Sequence, residues 1–145
     1  MKKFLGIFVL ALLVTGCSGS KETTTVCKGN AGEVTIESDD SDVNKIIVKT
    51  KDDVQEKFGY SGDDDGAKDF IEPMLNVSKM VGINYEVESV KDGIATIVMT
   101  IDFSKTDDDS MEQLMEIGYV DSNNKKFSLE KTTELFEKNS GLTCE

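Results

Sequence analysis

The chain has 145 residues with a net charge of −12 at neutral pH, and it contains no histidine, arginine or tryptophan. The acidic balance disfavours nucleic acid as a partner, because phosphates are repelled by such a surface. The missing histidine and arginine remove the usual general base and the bidentate clamp for anionic substrates. We therefore expect a protein that is not an enzyme.

The first residues predict an export leader that ends at a lipidation site. Two lysines precede an apolar run over 4–14, which leads into Val14-Thr15-Gly16-Cys17. An apolar helix of this length reaches about 17 Å, against roughly 30 Å of hydrocarbon, so it is too short to span a membrane. The pattern is typical of a lipobox, and it predicts a signal peptide over 1–16 and lipid attachment at Cys17. An ordinary secretory leader with a chance cysteine is the alternative.

Lipidation at Cys17 would place the protein on the extracytoplasmic face of the cell membrane, held there by its acyl chains. Residues 17–26 are small and polar, and we expect a flexible tether there. Residues 27–145 then form a single domain. Without the leader, fourteen lysines face 28 acids, a charge of about −14.

Two cysteines remain once Cys17 is assigned to lipid. Cys27 and Cys144 lie near the two ends of the predicted domain. An even pair in an exported chain most simply indicates one structural disulfide. The alternative is two free thiols or a redox pair, but no CxxC spacing favours redox chemistry.

Hydrophobic periodicity predicts an α+β fold. Two hairpins are expected, each made of strands with alternating or β-branched residues, and helices follow each of them. These elements predict a four-stranded antiparallel sheet with two to three helices packed on one face. The expected elements are strands over 32–38, 43–50, 83–88 and 94–103, a helical turn over 52–58, and helices over 67–81, after Asp107 and after Ser128.

The helix over 67–81 carries an apolar stripe that we expect to face the core. Its members follow helical spacing: Phe70, Met74, Val77 and Val81. Pro73 indicates that this helix starts late or tolerates proline in its first turns.

The acidic segment before this helix partly matches a calcium-binding EF-hand loop. Over Ser61–Glu72, acids at the third, fifth and ninth positions and a final glutamate make Asp63, Asp65, Asp69 and Glu72 candidate ligands. Ser61 replaces the usual first aspartate, however, and Lys68 occupies a position that is normally apolar. The alternative is a solvated acidic loop whose charges suit a helix N-terminus. No other cofactor is indicated.

The arrangement resembles the YehR family of small bacterial lipoproteins. The matching points are Cys17, Cys27, the methionine-containing segment over 70–81 and the C-terminal Cys144-Glu145. The resemblance implies an α+β domain on a lipid anchor, and it supplies no catalytic residues.

The sequence thus predicts a lipid-anchored, non-catalytic binding domain whose partner is an envelope protein or a cationic ligand. The alternative is an acidic lipoprotein that captures a small ligand or weakly binds calcium.

Overall fold

The structure is a computed structural model that describes residues 21–30, 32–75, 80–116 and 127–145. The predicted leader, Cys17 and Val77 lie outside the described residues, so the predictions made for them are not tested. Within the described part of the chain, no helix is long and apolar enough to cross a membrane.

One antiparallel sheet of six strands organises the molecule, in the order β4-β5-β3-β2-β1-β6. The strands are β1 (Glu22–Gly29), β2 (Gly32–Asp39), β3 (Asp42–Asp53), β4 (Ile83–Lys91), β5 (Ile94–Asp102) and β6 (Thr143–Cys144). The described residues also form four helices: α1 (Val54–Phe58), α2 (Asp64–Leu75), α3 (Asp108–Glu116) and α4 (Leu129–Ser140).

The α+β class and both predicted hairpins are confirmed, but the four-stranded sheet is wrong because the sheet has six strands. The first additional strand, β1, includes residues 22–26 of the segment expected to be a tether. Three of its eight residues are threonines and Cys27 is its one deeply buried residue, so hydrophobic alternation is absent. The second, β6, has two residues, which is too short for any periodicity.

The helices lie on one face of the sheet, as expected, but the described residues form four of them where two to three were predicted. The strand registers place Val34, Val48 and Met99 side by side, and each belongs to the buried core. Leu114 of α3 and Phe136 of α4 pack against them. A second cluster joins α1 and α2 to the second half of β4 and the start of β5, and its buried members are Val54, Ala67, Ile71, Val87, Ala95 and Ile97.

Helix α2 differs from its prediction in both its start and its buried face. It begins at Asp64, so Pro73 is its tenth residue and not part of the first turn. Ala67 and Ile71 face the sheet and are buried, whereas Phe70 and Met74 remain 42% and 48% exposed. The predicted core stripe is therefore wrong for both of these residues.

Val81, the last member of that stripe, is also exposed at 49% and lies after the end of α2. The physical reason is that the side of the helix that packs on the sheet carries Ala67 and Ile71, and this side lies roughly 60° around the helix axis from Phe70 and Met74. An exposed apolar strip remains along one side of the helix.

The two domain cysteines form the predicted pair. Cys27 and Cys144 are paired as a disulfide between neighbouring strands β1 and β6, across a sequence separation of 117 residues. Backbone hydrogen bonds continue this pairing between Val26 and Glu145, at 3.0 Å in both directions. The C-terminal segment therefore covers the outer edge of β1 at residues 26–28, and β4 forms the opposite edge of the sheet.

Candidate interaction surface

The segment between β3 and α2 places an aromatic side chain beside the exposed side of α2. Asp53 caps α1 by accepting the backbone N–H of Glu56 at 2.8 Å, and Gly59 ends that helix with a positive φ of 71°. The chain then turns back at Tyr60, whose ring lies 5.0 Å from the ring of Phe70, centroid to centroid.

Two glycines give Tyr60 the space it occupies. A methyl group at either Gly62 or Gly66 would collide with the Tyr60 hydroxyl oxygen. The phenol therefore lies directly over the backbone at the start of α2, with one face toward Phe70. We call Tyr60, Phe70 and Met74 the α2 patch.

The helix that carries the α2 patch also carries exposed acidic side chains. Asp65 and Asp69 are exposed on the same helix. Exposed large apolar side chains beside charged residues are typical of surfaces that contact other proteins. The patch is therefore suited to a partner that combines apolar and basic groups.

A cleft of about 270 Å³ lies next to the patch, and most of its carboxylates hold the fold together. Asp63 accepts the N–H of Gly66 at 2.9 Å and so caps α2. Asp64 accepts the N–H groups of Asp92 and Gly93, at 2.8 and 3.0 Å, and so ties α2 to the β4–β5 turn. These acids are occupied by backbone donors, which makes the cleft a structural junction.

The structure does not arrange the four candidate calcium ligands as an EF-hand. The helix already begins at Asp64, the fourth position of the supposed loop, whereas such a loop needs non-helical backbone to wrap around the ion. Asp63 serves as the cap described above, and Glu72 pairs with Lys68 at 3.5 Å. Asp65 and Asp69 project into solvent from the surface of α2. Among the described residues, no three acidic or cysteine side chains form a group that could hold a metal ion.

None of the described helices lies on the opposite face of the sheet, which we call the open sheet face. A neutral row crosses it through paired residues of five strands: Val26, Thr35, Ile47, Thr100 and Asn84. Charged residues flank this row on both sides and form cross-strand ion pairs, such as Lys45 with Glu37 at 2.6 Å. This pattern is typical of a solvent-facing antiparallel sheet.

Several side chains have shifted pKa values with evident causes. The hydrogen bond to Glu37 raises the pKa of Lys45. Burial raises the pKa of the Tyr85 phenol. Hydrogen bonds from Ser110 lower the pKa of Asp107, which caps α3. Each of these shifts accompanies a structural contact, and none of the three groups belongs to the α2 patch.

Sequence reasoning missed the α2 patch because it assigned Phe70 and Met74 to the core. The signal that identifies the true buried face is the series Ala67, Ile71 and Leu75, spaced four residues apart. No pattern in the sequence predicts where Tyr60 lies, because its position depends on two glycines that follow it.

Comparison with solved structures identifies the class of fold. The NMR structure of the E. coli YehR protein matches with a TM-score of 0.60 at 21% identity, covering 88% of this chain and 93% of that chain. The NMR structure of a protein from Streptococcus pneumoniae TIGR4 matches with a TM-score of 0.53 at 12% identity, covering 100% of this chain and 96% of that chain. No protein-family model and no curated protein matches the sequence.

The chain therefore has a YehR-like α+β fold, as the sequence resemblance implied. Similarity at this level of identity concerns the fold alone. Lipid attachment depends on Cys17, which lies outside the described residues.

Proposed function

We propose that the protein is a lipid-anchored, extracytoplasmic binding domain that recognises a basic envelope protein through the α2 patch. The observation that carries this proposal is the exposure of Phe70 and Met74 on a helix whose neighbouring side packs Ala67 and Ile71 into the core. Two large apolar side chains that stay in water contribute nothing to folding stability. Covering them with a partner contributes favourable free energy of binding.

The charge of the surrounding surface indicates the chemistry of the partner. Asp65 and Asp69 are exposed near the patch, and the domain as a whole is strongly acidic. Long-range attraction would accelerate encounter with basic proteins and disfavour acidic ones. The lipid anchor would confine this recognition to the membrane surface.

Photo-crosslinking in cells tests the proposed surface in the anchored, full-length protein. A photoreactive phenylalanine analogue at Met74 should give a discrete adduct with a basic envelope protein. The same analogue at Ile94, which is 37% exposed on β5, is the matched control. Asp65→Asn with Asp69→Asn should reduce the adduct at position 74. Equal crosslinking from both positions would refute the proposed surface.

The anchor has its own test. Cys17→Ala should release the protein from the membrane fraction into the soluble fraction, because the acyl chains attach through that thiol. Continued membrane association of the Cys17→Ala protein would contradict the lipobox prediction and leave the α2 patch proposal unaffected.

A further inference from the structure

We propose that a lysine-lined hollow at one end of the open sheet face binds a phosphate group. The hollow has a volume of about 390 Å³ and lies where the β1–β2 turn meets β3. Its lining includes Lys28, Asn30, Glu33, Lys49 and Lys51. We call it the lysine hollow. It is separate from the α2 patch and does not depend on the function proposed above.

The registers of three strands bring these side chains together. Lys28 of β1 is paired with Glu33 of β2, and Glu33 is paired with Lys49 of β3. Lys51 lies two residues further along β3, so its side chain is on the same face as that of Lys49. Gly32 allows the turn to approach β3 closely, because a methyl group there would collide with the carbonyl oxygen of Lys49.

The charges that line the hollow do not cancel. Lys28 lies 3.1 Å from Glu33, but their side chains are 69% and 43% exposed, so this ion pair is weak. Lys49 pairs with Glu88, which is not part of the lining. Lys51 has no ion pair within the described part of the chain. With Glu88 counted, three ammonium groups and two carboxylates leave one positive charge at the hollow, which is carried by Lys51.

This donor set suits phosphate. Three lysines supply compact charges that can approach a tetrahedral anion from different directions, and the Asn30 amide adds a neutral donor. An acidic protein repels anions over most of its surface, so a positive hollow is the place where one would be retained.

The hollow lies far from the segment that would carry the lipid. It is at the Gly29 end of β1, and the strand begins at Glu22, roughly 23 Å away at about 3.3 Å per residue. This placement favours free phosphate or a phosphate carried by a surface polymer. A lipid headgroup of the anchoring membrane shares the same chemistry, and the experiment below distinguishes these sources.

Lysine footprinting tests the proposal on the full-length protein held in phosphatidylcholine vesicles. Inorganic phosphate is titrated at constant ionic strength with chloride as the balancing anion, and acetylation of each lysine is followed by mass spectrometry. We expect phosphate to protect Lys28, Lys49 and Lys51 saturably, so that acetylation of these three lysines becomes several-fold slower. Lys91, an exposed lysine at the end of β4, should show no change.

Matched substitutions separate binding from folding. Lys51→Gln should raise the phosphate concentration at the midpoint of protection about tenfold, which corresponds to ~1.4 kcal/mol. Its melting temperature should be unchanged. Lys91→Gln should leave the midpoint unchanged. Uniform protection of all lysines, no protection, or equal effects of the two substitutions would overturn the proposal.

Phosphatidylglycerol vesicles without free phosphate identify the source. Protection of the three lysines under that condition would assign the site to lipid headgroups. Protection that requires added phosphate would assign it to free or polymer-borne phosphate.

Discussion

Asp102, at the end of β5, accepts several hydrogen bonds from the turn that follows it. Its Oδ1 accepts the N–H and the hydroxyl of Ser104, at 3.1 and 2.6 Å, and Lys105 Nζ lies 2.7 Å from its Oδ2. These contacts, chiefly the one with Lys105, lower the pKa of Asp102 from 3.8 to about 2. The folded protein therefore favours the ionised carboxylate more strongly than the unfolded chain does.

A pH dependence of stability follows from this depressed pKa. The contribution of Asp102 is fully present above the unfolded pKa of about 3.8 and is lost as the pH falls through about 2. Asp102→Asn should therefore lower the melting temperature at pH 7. The difference from the wild type should shrink steadily between pH 4 and pH 2 in melts followed by circular dichroism. A difference that stays constant over that range would contradict the assignment.

A second residue-scale prediction concerns Gly66, which lies under Tyr60. Alanine is intrinsically better than glycine inside a helix by about 1 kcal/mol, but here its methyl group would displace the Tyr60 ring. Gly66→Ala should therefore lower the free energy of unfolding relative to the wild type. In a Tyr60→Ser background the same change should stabilise the protein, because the obstruction is gone. Chemical denaturation of the four proteins measures the reversal, and equal effects in both backgrounds would refute it.

For single residues, the sequence predicted the structure where a side chain bonds to residues close to it in the chain. Helices were expected after Asp107 and after Ser128, and each of these residues accepts a backbone N–H three residues ahead. Gly141 ends the last helix with a φ of 61°. The position of Tyr60 could not be predicted, because it depends on packing against a helix later in the chain.

At the scale of elements, the orientation of α2 depends on its first residue. Asp64 accepts two backbone N–H groups from the β4–β5 turn, which fixes one end of the helix beside β4. Ala67 and Ile71 then meet the sheet, and the α2 patch is left outside. This long-range contact holds the series Ala67, Ile71 and Leu75 toward the sheet, whereas helical spacing alone also allows Phe70 and Met74 to be the buried pair.

Removing that contact should loosen the helix from the turn. Asp64→Ala leaves two N–H groups without their acceptor, and we expect a loss of about 1–3 kcal/mol in unfolding free energy. Asp65→Ala is the matched control, since it removes an exposed acid from the same first turn with no such contact. Amide exchange at Gly93 should accelerate only in Asp64→Ala. Equal behaviour of the two variants would contradict this role.

The two long hairpins were predictable because their strands alternate between a buried and an exposed face and are joined by short turns. Asp40 and Asp92 adopt the left-handed conformation in those turns, both with φ of 52°. The outer strands β1 and β6 were not predictable, because neighbouring strands and the cysteine pair hold them in the sheet.

At the scale of the whole molecule, the pairing of Cys27 with Cys144 joins the first and last strands. The cross-link encloses a separation of 117 residues, and such a loop stabilises by about 4 to 5 kcal/mol in the chain-entropy model. Both core clusters lie within this loop. The pairing therefore limits the unfolded state of nearly the entire domain.

Loss of the cross-link should lower the melting temperature substantially. Cys27→Ser with Cys144→Ser should melt more than about 10 °C below the wild type, given roughly 3 to 5 °C per kcal/mol for a domain of this size. The wild type in reductant should approach the melting temperature of the double variant. Identical melting of wild type and double variant without reductant would show that the bond is not formed.

The position of this cross-link also determines how the domain responds to mechanical load. A pull applied through the segment before Cys27 and the segment after Cys144 would pass directly between two adjacent strands. The 117-residue loop would carry almost none of that tension, because the covalent path bypasses it. The part of the domain between Cys27 and Cys144 is thereby protected from tension applied along the chain.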